Sequence, residues 1–464
     1  MAERMWFFKE KNHGNTCFSQ GLFVMIQEKK TADKVLRNGG NMDKKIQEDY
    51  IKILREELVP AMGCTEPIAL AYASAKAREV LGAEPKQIRV LCSGNMIKNV
   101  RCVTIPNSGG LTGIETACVL GATAGDANGK MEVLEHVTDA GRARTRELLK
   151  TGMCQVEYLD STIPLHFIVC LAGDGHSVKV EVRHSHTNIV RIERDGEVVF
   201  EKEDESAETG VMTDRSCLSI DGIRQFADEV DLDLIRDLYE RQIRYNMDIA
   251  YEGIAGEYGL GIGKVIRESY ADSVVTRMKA YAAAASEARM GGCDMPVIIN
   301  SGSGNQGIAS SVPVIVYARE KNLSREKLYR ALVFSSLLTI YQKEFIGKLS
   351  AFCGAVSASC ASAAAITYIA GGTNGQIKAT IDNTLANIPG IICDGAKISC
   401  AAKIASSLDA AMMAHYLAMQ NREYEAYTGI LKENAGETIS CVGYIGKVGM
   451  YQTDKEIIKM MLEE

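Results

Sequence analysis

Fourteen cysteines are spread along this 464-residue chain, yet no two stand in a C-x-x-C pair. That absence excludes zinc ribbons and thioredoxin-type redox motifs. Basic residues are also in short supply. Lys and Arg total 52 against 59 Asp and Glu, a formal charge of −7, whereas a dedicated nucleic-acid surface is usually basic. No apolar run reaches the ~18–20 residues that cross a bilayer. The longest, "ALVFSSLLTIY" (331–341), stops at Gln342, Lys343 and Glu344. There is no G-K-[ST] phosphate loop, no G-x-G-x-x-G in a βαβ unit and no H-E-x-x-H. Nucleic-acid and membrane partners are therefore not expected.

What is present is an ordinary globular composition, 46% hydrophobic and 24% charged, in a chain long enough for two or three domains. The first 41 residues hold "MWFF" and "GLFVMI", interrupted by Lys9 and Lys11, which does not make a secretory signal. "DKKIQEDYIKILREELVPAMG" after Met42 reads as a natural beginning, so 1–41 is expected to be an N-terminal extension. Many cysteines without an export signal fit a reducing cytoplasm, most of them as small buried hydrophobes.

Helical periodicity marks 43–58 and 66–81. Thr65 suits an N-cap, Glu66 the positive end of the helix and Pro67 its first turn. The texture then turns β-branched: "IRVLCSG", "VRCVTIP", "FIVCLAG", "SVKVEVR", "IVRIER" and "RDGEVVF", the last with an Asp195-Gly196 hairpin turn. Helical stretches lie near 113–124 and 139–151. After the charged connector "EKEDESAETG", the chain reads as helix and loop rich in small residues, which let helices approach closely. The expected fold is α+β. A mainly helical catalytic domain (42–85 and 211–464) carries an inserted, mostly antiparallel β-rich α+β module (86–210).

Four features could carry chemistry. In "GCTEP" (63–67), Cys64 precedes a helix start, where the dipole favours thiolate and a base or nucleophile is possible; the alternative is a buried thiol beside a helix cap. Cys353, Cys393 and Cys400 stand at loop–helix junctions that could converge on an iron–sulfur cluster, or be unrelated core thiols. "NSGSGN", Asn300, Ser301, Gly302, Ser303, Gly304 and Asn305, opens toward a helix and offers N–H groups to a carboxylate or phosphate; the loop with Asn107 and Ser108 echoes it. The alternative is a flexible turn. His184 and His186, one residue apart on or near a strand, would point the same way, toward a metal, a proton or solvent. Cys360, seven residues after Cys353, could compete as a ligand, while Cys293 and Cys441 read as core thiols.

Together "GCTEP", "NSGSGNQGI" and cysteines 353, 393 and 400 resemble the L-cysteine desulfidase family, UPF0597-type proteins similar to the catalytic α portion of iron–sulfur L-serine dehydratases. The resemblance covers the chain from Met42 onward. It implies a [4Fe–4S] lyase without pyridoxal phosphate, eliminating the β-substituent of a small amino-acid substrate. It implies Cys353, Cys393 and Cys400 as cluster ligands, Cys64 as proton acceptor, with Glu66 nearby, and Asn300 to Asn305 as substrate loop. The "SHT" containing His186 is similar to a Ser-x-His-Thr element of the dehydratases. The expected product set is pyruvate, ammonia and hydrogen sulfide, in an oxygen-sensitive enzyme that could form homo-oligomers. An L-serine or L-threonine dehydratase of the same fold is the near alternative, and a non-catalytic iron–sulfur redox protein the distant one.

Overall fold

The computed structural model describes residues 42–202, 213–347 and 350–463. The expected extension 1–41 lies outside them. Chain order runs α1 (Lys44–Glu57), β1 (Pro60–Met62), α2 (Thr65–Leu81), β2 (Gln87–Cys92), α3 (Gly94–Val100), α4 (Gly113–Ala124) and α5 (Asp139–Lys150). Strands β3 (Cys154–Tyr158), β4 (His166–Gly173), β5 (His176–Arg183), β6 (Ile189–Arg194) and β7 (Glu197–Glu201) follow. Then come α6 (Ile220–Glu229), α7 (Arg236–Ala255), α8 (Ile262–Ser269), α9 (Val274–Met290), β8 (Pro296–Ile298), α10 (Gly304–Glu320), α11 (Arg325–Ile346) and α12 (Gly354–Ile369). The chain finishes with α13 (Asn374–Asn387), α14 (Cys400–Met419), α15 (Ala435–Tyr444) and α16 (Tyr451–Leu462). A π-helical turn, Ile445–Gly449, joins the last two. Among the described residues no helix is long and apolar enough to cross a membrane.

The fold is α+β. Six strands form one sheet in the order β3-β2-β4-β5-β6-β7. Only β2 and β3 run parallel; every other pair is antiparallel. Residues alternate as a half-covered sheet requires. Ile88, Val90, Phe167, Val169, Val178 and Val180 are buried, while Arg89 and Glu157 pair on the open face at 2.6 Å. Asp195 and Gly196 both have positive φ, 52° and 85°, as a tight hairpin with this twist demands.

Two large cores divide the described residues, with two small clusters beside them. The larger is built by α1, α6, α7 and α9 to α15. Its helices approach closely where side chains vanish: a Cβ on Gly253 of α7 would lie 2.2 Å from the Ala284 carbonyl of α9. The second core joins α2, α3 and α4 to the sheet. Here the packing differs from the expectation that 42–85 belong together with the helical domain. α1 buries Tyr50, Ile53 and Leu54 in the first core, whereas α2 buries Ile68, Leu70, Ala73 and Leu81 in the second. The alanine-rich α2 is apolar all round, so periodicity could not say which layer it would join.

One short pairing goes beyond the sequence reading. β1 and β8 are antiparallel, with Pro60 opposite Ile298 and Met62 opposite Pro296. Three-residue strands are too brief to show alternation. Pro60 sits at the first position of its strand, where a missing N–H is tolerated. This ladder lays residues 63–67 alongside 299–305.

Candidate active site

A cavity of about 540 Å³ opens between the helical body and the sheet module. Cys64, Cys353, Cys393 and Cys400 all line it, with Glu66, Arg289, Ser301, Gly302, Ser303, Asn305, Lys343, His184 and His186. Residues up to about 340 positions apart in sequence thus face one space, and each is delivered by a local device.

Gly63 delivers Cys64. Its φ is 59°, and a Cβ there would fall 2.2 Å from the Pro106 side chain, so only glycine fits the turn. Cys64, not Thr65, is the N-cap of α2, and it makes no side-chain capping bond. Thr65 is instead the first helical residue. Its hydroxyl lies 3.1 Å from Glu66 Oε2 and 3.2 Å from the Gly302 carbonyl, tying the helix start to the 300–305 loop. Cys64 Sγ donates to Glu66 Oε2 at 3.2 Å. Burial pushes the Cys64 thiol well up, and the Glu66 charge pushes it further, against the pull of Arg289. Desolvation and a neighbouring carboxylate oppose a helix end worth about 0.3–1 kcal/mol and favour the protonated form of the Cys64 thiol.

The opposite wall is organised by a minimal ladder. Phe352 and Ile392 form an isolated bridge, Cys353 N–H donates to the Ile391 carbonyl at 2.8 Å and Cys393 N–H to Ala351 at 2.7 Å. Cys353 and Cys393 are thereby set side by side. Cys353 caps α12 and Cys400 is the first residue of α14, so both stand at positive helix ends. All three thiols are free. The Cys353 thiol bonds to Cys393, which holds Cys393 below the ordinary thiol range despite burial, helped by Lys98 and Lys403. The same bond pushes Cys353 up. Burial raises Cys400.

These residues fit an iron–sulfur cluster by donor chemistry: three free cysteine thiols, no competing carboxylate in the set, and cations around them. Among the described residues no group of three or more His, Cys, Asp and Glu side chains could hold a single metal ion. A cluster differs because its ligands bind separate irons and need not converge on one point.

The 300–305 loop reaches the cavity through Ser301, Gly302, Ser303 and Asn305. Asn300 and Gly304 stand behind it. Asn300 is buried, donating to the Ser336 carbonyl at 3.2 Å and accepting from Ser301 Oγ at 2.8 Å. Ser303 caps α10, leaving first-turn N–H groups without intrahelical partners. Asn107 and Ser108 do not line the cavity: Asn107 donates to the Leu134 carbonyl at 2.9 Å and Ser108 Oγ accepts from Leu111 N–H at 2.9 Å, closing a turn. β5 ends at Arg183 and His184 has a φ of 67°, so the two histidines lie on a turn. The same-face strand argument does not apply, although both reach the cavity. Cys360 is buried inside α12 away from it, its thiol pushed up to about 12 by burial. Cys293 is likewise buried elsewhere and Cys441 half-buried.

Three cations escaped the sequence reading. Lys98, 1% exposed, pairs with Asp454 of α16. Lys343, buried at the cavity, is brought down to about 8 by desolvation. Arg289 is also buried, and its Nη1 donates to Asn305 Oδ1 at 3.2 Å. Lys343 and Arg289 sit in the last turns of α11 and α9, where a basic residue ordinarily complements the helix dipole from the surface. Nothing in the sequence distinguishes them from such residues.

Comparison with known proteins gives the family. The model for the serine dehydratase alpha chain matches residues 128–459, which include the 300–305 loop, Cys353, Cys393 and Cys400 but not Cys64. A UPF0597 protein of Lachnoclostridium phytofermentans is 50% identical over 412 residues, 89% of this chain and 99% of the relative. One from Desulfitobacterium hafniense is 46% identical over 415 residues, 89% of this chain and 96% of its own length. Another from Treponema denticola is 45% identical over 431 residues, covering 91% of this chain and all of the relative. The chain belongs to the UPF0597 family and carries its serine dehydratase alpha-chain domain, a dehydratase-type lyase fold.

Proposed function

We propose that this protein is an iron–sulfur-dependent L-cysteine desulfidase, converting L-cysteine and water to pyruvate, ammonia and hydrogen sulfide. The observation that carries the reading is the gathering of Cys64, Cys353, Cys393 and Cys400 around one cavity. Cys353, Cys393 and Cys400 would hold a [4Fe–4S] cluster. When bound, such a group supplies Lewis acidity toward the departing β-substituent.

The remaining steps belong to the chain's own side chains. With burial favouring its protonated form, Cys64 takes up a proton only after it has lost one. Glu66, 3.2 Å away, is positioned to receive it. The resulting thiolate takes the Cα proton of the amino acid. The Cα–H electron pair becomes the Cα=Cβ bond while the Cβ–S bond breaks, releasing hydrosulfide. The aminoacrylate product tautomerises to an imine and hydrolyses to pyruvate and ammonium. Thr65, bridging Glu66 and the Gly302 carbonyl, holds the proton-transfer pair in register with the loop.

The same steps with a hydroxide leaving group would describe an L-serine dehydratase. Anaerobic incubation with L-cysteine and L-serine in parallel, scoring sulfide and pyruvate, tests the reading. Equimolar sulfide and pyruvate from L-cysteine is the expected result. Pyruvate from L-serine alone would make the protein a dehydratase, and neither product would overturn the lyase reading.

A further inference from the structure

Arg289 stands in an electrostatic position that no group among the described residues satisfies. It is 2% exposed, and its Nε has no hydrogen-bond partner among the described residues. No described carboxylate lies within ion-pair distance. The one oxygen it meets, Asn305 Oδ1, is neutral and is shared with Ser286 Oγ at 3.1 Å. A buried guanidinium calls for an anionic partner, and the planar fork suits one with two oxygens.

The surroundings increase that demand. Arg289 presses against Gly304, the first residue of α10, where a Cβ would lie 2.3 Å from Nε and 2.5 Å from Cζ. The cation therefore meets the positive end of α10, which offsets the favourable end of α9 in which it sits. The buried cation faces the cavity beside Cys64, together with Ser303 and Asn305 at the start of α10. One guanidinium plus a partial helix charge matches a monoanion, and its planar fork matches a carboxylate.

We propose that Arg289, backed by Asn305, is the carboxylate anchor of the amino-acid substrate. This rests on the lyase reading for the identity of the ligand. The anion site itself rests on the unpartnered, buried guanidinium. The backbone of the 300–305 loop then assists an arginine clamp rather than holding the carboxylate alone.

L-Alanine, which has no β-leaving group, and L-alaninamide, which lacks the carboxylate, separate binding from turnover. Titration calorimetry on the full chain, kept anaerobic, is expected to show binding of L-alanine and not of the amide. Arg289→Gln is expected to weaken L-alanine binding on the order of 10²-fold. Asn305→Asp, which changes little in shape, puts an internal carboxylate against the guanidinium. It is expected to raise the melting temperature and to abolish the further rise that L-alanine gives to the wild type. Wild-type affinity in either variant, equal binding of acid and amide, or no L-alanine binding at all would overturn the proposal. L-Alanine binding lost with Arg289, in a protein that yields no pyruvate, would uphold the anchor and refute the lyase.

Discussion

Cys64 and Cys393 face the same cavity from opposite walls and are driven in opposite directions. Cys64 caps a helix, a position that favours thiolate, yet burial and Glu66 push its thiol up. Cys393 is not at a helix end, yet its bond from Cys353 and the charges of Lys98 and Lys403 hold it toward thiolate. Burial and Glu66 oppose the helix end at Cys64, and no helix end acts on Cys393. The two thiols differ first in burial against a thiol hydrogen bond, and then in the charge beside them, a carboxylate at Cys64 and ammonium groups at Cys393.

Removing the carboxylate should break the comparison most sharply. Glu66→Gln takes away the acceptor for the Cys64 proton. Turnover is expected to fall ~10²–10⁴-fold, the range of general-base catalysis, with iron content unchanged. Normal turnover in that variant would separate Cys64 from Glu66. The alkaline side of the pH profile sharpens the same point. With the thiol pushed up, kcat/KM of the wild type should still be rising above neutrality, whereas a plateau below pH 7 would contradict a raised Cys64.

On the other wall, Lys98→Met strips the cation from Asp454 and from Cys393. Breaking a buried pair should cost roughly 3 kcal/mol by urea unfolding, and the variant should take up less iron on anaerobic reconstitution. Gly63→Ala acts on geometry alone. A left-handed alanine pressed on Pro106 should cost about 1–3 kcal/mol and displace Cys64, lowering kcat without loss of iron.

The smallest effect is a control outside the cavity. Burial alone brings His415 down to about 4, with Nδ1 at 2.8 Å from Thr367 Oγ1. Its unfolded form binds the extra proton between pH ~6.5 and ~4, so its stability contribution is present above that window and lost as pH falls through it. Wild type should lose roughly 2 kcal/mol more than His415→Gln between pH 7 and pH 5 by urea unfolding. An equal loss in both would place the titration elsewhere.

Much of this was legible in the sequence because short motifs carry their own local physics. Gly63, Glu66 and Pro67 announce a helix start, Asp195-Gly196 a hairpin, and five of the six β-branched runs a sheet; "VRCVTIP" does not join it, since Val100 ends α3 and Thr104 makes only an isolated bridge. The alanine-rich α2 announced a helix but not its layer. β1 and β8 were too short to see, so the adjacency of "GCTEP" to "NSGSGN" had to come from the fold. Arg289, Lys98 and Lys343 were hidden for a different reason. A basic residue in a helix looks the same in sequence whether it meets water or a cavity, and only burial gives it a function.

The division of labour between the two walls is the central claim. Its most direct test is iron and acid-labile sulfide, measured beside turnover, in anaerobically reconstituted Cys64→Ser and Cys393→Ser. Cys64→Ser is predicted to keep wild-type iron and sulfide and lose turnover, and Cys393→Ser to lose all three. Loss of iron from Cys64→Ser, or a full cluster in Cys393→Ser, would contradict the account.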